Sequence, residues 1–217
     1  MAAQPQLNPL GQAGGARLAS RVLPMCDGEA CGDAAGHFAG PVSEGDETPR
    51  RLLAIIDGLG HGLEAAKAAQ AAMDTLHMRA ADPALPLDEL LNRLDARLTP
   101  TRGAAIGLVR LDGLQLQHAG IGNTRTLHLR GGLIARLPSQ NGIVGGGQAL
   151  RVAVNTLTLQ AGDGLLMFTD GLDERLQLPL VLPEWRRDPD TLCQHLLARW
   201  RQGRDDAGVL AFFLDLP

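Results

Sequence analysis

Tyrosine is absent from this chain, and only four Phe and two Trp stand among its 217 residues. A protein that stacks nucleobases or sugars on aromatic faces needs more than that. Positive charge is also short. The 20 Lys and Arg are outnumbered by 24 Asp and Glu, leaving a formal charge of −4, the wrong sign for neutralising a phosphate backbone. Both observations argue against nucleic acid as the main partner. The three cysteines, Cys26, Cys31 and Cys193, are too few and too scattered for a disulfide framework, and no two form a Cys-x-x-Cys pair. They fit a reducing compartment. No apolar run reaches the length of a membrane span, and the first residues lack the basic and apolar blocks of a signal peptide. The expectation is a cytoplasmic protein with no membrane partner.

What is present is an ordinary apolar share, 45%, in a chain long enough for one substantial core. Residues 1–16, rich in Gly, Ala, Gln and Pro, are expected to be a flexible arm, and residues 17–217 the domain. Short apolar runs bounded by turn residues predict strands. These are a pair at 17–23 and 32–39, then, after a polar turn at 40–49, a strand ending at Asp57. Others follow at 104–111, 114–119, 124–129, 133–137, 152–159, 165–169 and 209–214. Asp112-Gly113 is a hairpin signal; Arg130-Gly131-Gly132 and residues 160–164 join strands in the same way. Helical spacing predicts one helix with Leu63, Ala66, Ala69, Met73 and Leu76 on its apolar stripe. It predicts a second with Leu87, Leu90, Leu91, Leu94 and Leu98, and a last one with Cys193, Leu196, Leu197 and Trp200. Hairpin-joined strands with a few inserted helices predict an antiparallel α+β domain, helices outermost.

Two of the apolar runs end alike, one in Asp57-Gly58 and one in Thr169-Asp170-Gly171. Asp205-Asp206 precedes the last strand, and Gly32-Asp33 lies near the start. A carboxylate at a strand tip is held by a rigid sheet yet emerges at its edge. Like charges repel and burial is costly, so carboxylates gather only with a reason. If these four converge, a hard cation is the simplest one. That pattern points to a metal-dependent hydrolase. In the segment Ile56-Asp57-Gly58-Leu59-Gly60-His61-Gly62, an Asp followed by Gly lets a side chain and the next carbonyl oxygen face one cation. The same segment also fits an ordinary strand-to-helix turn.

These motifs, in this order, resemble the PPM-type metal-dependent serine/threonine protein phosphatases, in particular the SpoIIE-like group and its compact RsbX-like stressosome branch. The resemblance runs from Gly32 to the C-terminus. It takes in the Gly120-Ile121-Gly122-Asn123 turn and the Gly-rich loop 141–147. It implies a four-layer αββα sandwich of two antiparallel sheets flanked by helices, in a minimal single-domain form. It also implies two Mn²⁺ or Mg²⁺ ions, with Asp57 bridging them, the Gly58 carbonyl binding one, and Asp33, Asp170 and Asp205 completing the set. A metal-activated water would attack the phosphoryl group. His61 would protonate the leaving seryl oxygen or order its loop, the second being the commoner role for such a side chain. The implied substrates are phosphorylated STAS-domain regulators of a bacterial stress-response or partner-switching pathway. Cys31, Ala34 and Gly208 depart from the family pattern, and with Asp205-Asp206 they leave open which of the pair serves the metals.

Other patterns carry less. Cys193 and Arg199 have the Cys-x5-Arg spacing of cysteine-dependent phosphatases, but no glycine lies between them to shape a phosphate cradle. Gly145-Gly146-Gly147 lacks the Lys-Ser/Thr of a P-loop. Arg21, Arg50 and Arg51 lie near strands that could bring a guanidinium to a phosphate. A non-catalytic phosphatase-like binding module, or a hydrolase of small phosphate esters, would share the same four acids.

Overall fold

The computed structural model describes residues 15–40, 50–79, 85–176, 178 and 183–215. The expected arm lies outside them except for Gly15 and Ala16, as does the polar turn except for Gly40. Ten strands and four helices follow in chain order: β1 (Ala16–Leu23), β2 (Asp33–Ala39), β3 (Arg51–Gly58), α1 (Leu63–Arg79), α2 (Leu87–Leu98), β4 (Ala104–Asp112), β5 (Gln115–Ile121), β6 (Arg125–Arg130), β7 (Leu133–Leu137), β8 (Asn155–Thr158), β9 (Gly164–Phe168), α3 (Pro183–Arg187), α4 (Pro189–Trp200) and β10 (Ala207–Leu214). One sheet has the order β1-β10-β9-β6-β7 and the other β2-β3-β4-β5-β8. Every neighbouring pair is antiparallel.

Three apolar layers hold four layers of structure together, the αββα arrangement implied above. Between the sheets lie Leu53, Ile55, Val109, Met167, Leu210 and Phe212. Outside the second sheet, α1 and α2 pack on Ala54, Ile56, Ile106 and Leu108. Outside the first, α4 lays Leu192, Cys193, Leu196 and Leu197 against Leu166, Phe168, Val209 and Ala211. Because β3 and β9 are covered on both faces, residues 52–56 and 164–168 are buried without alternation, as a doubly covered strand requires. Asp188 caps α4, accepting from the Thr191 N–H at 3.2 Å with Pro189 at the first helical position.

Several expectations are corrected. The strands predicted as a first pair are not partners: β1 pairs with β10 and β2 with β3, in opposite sheets. The link 160–164 is not a hairpin either, because β8 pairs with β5 and β9 with β6 and β10. The hairpins at Asp112-Gly113 and at 130–132 form as expected. On α1 the buried stripe is Ala65, Ala68, Ala69, Ala72 and Leu76, while Leu63 is 64% exposed. The reason is close packing. A Cβ added at Gly58 would stand 2.3 Å from the Ala65 carbonyl oxygen, so this helix meets its sheet through small residues. α3 is an element the periodicity did not suggest.

Candidate metal centre

The acids converge where the corresponding ends of both sheets meet. Asp33 opens β2 and Asp57 lies near the end of β3, and the antiparallel register sets them directly opposite each other. From the other sheet, Asp170 follows β9 by two residues and Asp205 precedes β10 by two. The pairing of those strands brings the two together. Gly171 permits the approach, since a Cβ there would fall 1.8 Å from the Asp206 carbonyl oxygen. Thr169 ties the sheets at this point. Its hydroxyl donates to Asp33 Oδ2 at 2.6 Å and accepts from the Gly208 N–H at 2.8 Å.

Crowding shows in the acidities. Burial first, then the charge of Asp57, holds Asp33 well above the usual carboxylate range, against the bond from Thr169. Asp57 is pushed up to about 7 by burial and then by the charges of Asp170 and Asp205, while a hydrogen bond from Asn123 pulls it back. Asp205 is raised mainly by burial, opposed by a bond from the Asp206 N–H and by the charge of His61. Asp33, Asp57 and Asp205 resist ionising side by side, and with Asp170 beside them they offer the hard oxygen chemistry that Mg²⁺ or Mn²⁺ takes. Among the described residues, no three His, Cys, Asp or Glu side chains make a ready cage for one ion. The fit is to ions that keep several waters.

The Asp pair divides its work. Asp206 is buried, and its carboxylate accepts from the Met25 N–H at 2.6 Å and the Gly32 N–H at 2.7 Å. It holds the loop before Asp33, while the charge of Asp205 acts on Asp57. His61 is exposed, close enough to act on Asp205, and makes no hydrogen bond among the described residues. Asn123, from the Gly-Asn turn, donates to Asp170 Oδ2 at 2.7 Å; the turn was visible in the sequence, but this role was not. Arg21, Arg50 and Arg51 lie elsewhere. Arg21 grips Asp190 with two bonds of 2.7 Å. Arg50 pairs with Asp112 at 2.9 Å. Arg51 starts β3, at the end of the sheet away from Asp57, and stands 3.4 Å from His37. Nearer the centre are Arg102, whose guanidinium would stand 3.0 Å from a Cβ at Gly60, and Arg125, which donates to the Asn123 carbonyl; the sequence offered no signal for either beyond their proximity to the Gly-rich turns.

The sandwich and its acid end define a PP2C-type, metal-dependent serine/threonine protein phosphatase. The chain belongs to the SpoIIE (stage II sporulation protein E) family, whose sequence model matches residues 48–214. Among solved structures it is similar to one from a study of the bacterial stressosome, with 26% identity over 91% of this chain and 98% of that one and a TM-score of 0.75. It is also similar to RsbX in complex with magnesium, with 18% identity over 98% of this chain and 100% of that one, TM-score 0.75. The catalytic domain of the phosphatase PstP with two manganese ions shares 19% identity over 92% and 98%, with a TM-score of 0.70. Comparison with curated protein sequences gives no match. No helix among the described residues is long and apolar enough to cross a membrane.

Proposed function

We propose that this chain removes phosphate from serine or threonine of STAS-domain regulators in a bacterial stress-response or partner-switching pathway, with two divalent ions held by Asp33, Asp57, the Gly58 carbonyl, Asp170 and Asp205. The observation that carries the site is the meeting of four carboxylates, two from each sheet, at one end of the sandwich. The pathway is supported by likeness to the stressosome structure and RsbX, and to the RsbU and RsbW domains of a Mycobacterium tuberculosis protein (24% identity, TM-score 0.74).

Divalent ions bound there would lower the pKa of a bound water and offset charge on the phosphoryl oxygens. The chain supplies the rest. Asp57, central among the acids, has Asp170 and Asn123 beside it, and Asn123 donates to Asp170. Thr169 fixes the rotamer of Asp33. His61, exposed and without a hydrogen bond among the described residues, would give a proton to the leaving seryl oxygen. Asp206 holds the loop before Asp33 through the Met25 and Gly32 N–H groups.

Purified protein with Mn²⁺ should release phosphate from a phosphoserine STAS-domain protein faster than from an unrelated phosphoprotein, and lose that activity in EDTA. Asp57→Asn should lower the rate by at least about a hundredfold. Unchanged turnover in that variant would rule out the proposed centre. Equal rates on the two proteins would rule out the substrate class and leave the centre standing.

A further inference from the structure

Beside the acids the surface opens into a cleft of about 660 Å³, lined in part by Leu59, Asn123, Arg125, Arg136, Asn141 and Ile143. One wall belongs to the centre, since Leu59 follows Asp57-Gly58 and Asn123 holds Asp170. The other is cationic. Arg125 and Arg136 both reach the carboxylate of Glu174, the first through a short bond and the second at 3.5 Å. Arg125 is pinned in place by donating to the carbonyls of Asn123 at 2.6 Å and Thr124 at 3.2 Å. Its Nε is buried with no partner among the described residues. Glu174 has no other bond among those residues. Two guanidiniums therefore face the cleft with one carboxylate between them, and half of their charge is left uncancelled. Leu59 and Ile143 add exposed apolar surface to the same cleft.

We propose that this cleft carries the polypeptide flanking the phosphorylated residue, and that Arg125 and Arg136 read an acidic side chain on it through the charge that Glu174 leaves over. The inference rests on the phosphatase reading above. A protein of net charge −4 has no general attraction for acidic chains, so the preference must be local. Guanidinium forks suit carboxylates, and partly desolvated pairs of this kind discriminate by charge. Glu174 sets the strength of the preference, because it competes for the same donors.

Two phosphoserine peptides, identical except for Glu or Gln at positions two to four residues from the phosphoserine, test this on the full chain with Mn²⁺. The readout is the ratio of kcat/KM for the Glu peptide over the Gln peptide. It should be about tenfold in the native protein, fall to about one in Arg136→Ala, and rise above the native value in the near-isosteric Glu174→Gln. A native ratio near one, or one that neither variant moves, overturns the proposal. Fluorescence anisotropy with the same labelled peptides reads docking without turnover. A binding preference without hydrolysis would sink the phosphatase reading and keep the cleft; hydrolysis without preference would sink the cleft alone.

Discussion

Neighbouring aspartates can do unrelated work. Asp206 is buried and serves two main-chain donors from other segments, whereas Asp205 accepts from the adjoining Asp206 N–H and its charge acts on Asp57. Asp206→Ala would strand the Met25 and Gly32 N–H groups, the second of them buried, and should lower stability by about 3 kcal/mol. Asp205→Asn relieves like-charge crowding and should leave the metal-free melting temperature near or above the native value while weakening the upward shift on adding Mn²⁺. Thermal melts with and without metal separate the two. The thiols divide similarly. Burial pushes Cys193 and Cys31 up to about 12, while Cys26 is exposed. Thiolate is the reactive form, so iodoacetamide at pH 8 should label Cys26 alone in the native protein and all three once unfolded, as mass spectrometry would show. Labelling of native Cys193 would contradict its burial on α4.

Strands and helices were readable because each imposes a local period. The leucines of α2 were the clearest instance, and all five are buried. Which sheet a strand joins was not readable. β1 and its partner β10 are at opposite ends of the chain, and no local pattern records such a pairing. The same limit applied at the centre. Asp33, Asp57, Asp170 and Asp205 stood out because Asp-Gly at a strand tip is a local signature, and their convergence could be inferred. Arg125, Arg136 and Glu174 carry no signature; they meet only because β6, β7 and the turn after Asp170 are brought together by the fold. The stripe on α1 was misread for a related reason, since its close approach through Gly58 and Ala65 favours small side chains over the large ones that a hydrophobicity pattern picks out.

Taken as a folded unit, the protein should have a stability profile with two opposed slopes. His118, on β5, is buried with neither ring nitrogen bonded among the described residues, and burial lowers it to about 4. The unfolded chain therefore binds a proton that the folded one refuses, and stability is lost as pH falls from about 6.5 to about 4, by on the order of 2–3 kcal/mol from this group. His118→Leu should flatten that limb in denaturant titrations across this range; an unchanged slope would show that other groups set it. Asp57 acts in the other direction. Its raised value favours the folded state below its unfolded pKa, and that contribution is lost as pH rises through about 7. In metal-free protein the second slope should be visible, and saturating Mg²⁺ should abolish it.

The acids come in equal number from the two sheets, and the side-chain bonds described between those acid-bearing strand ends are those from Thr169 to Asp33 and from the Gly32 N–H to Asp206. A cation held there would act as a rivet through both sheets. Its affinity would then report how the sheets are set against each other, and its binding energy would appear as mechanical stiffness of the whole sandwich. A partner that shifts one sheet relative to the other, at any point on its outer helices, would loosen the rivet and switch off hydrolysis without approaching the active site.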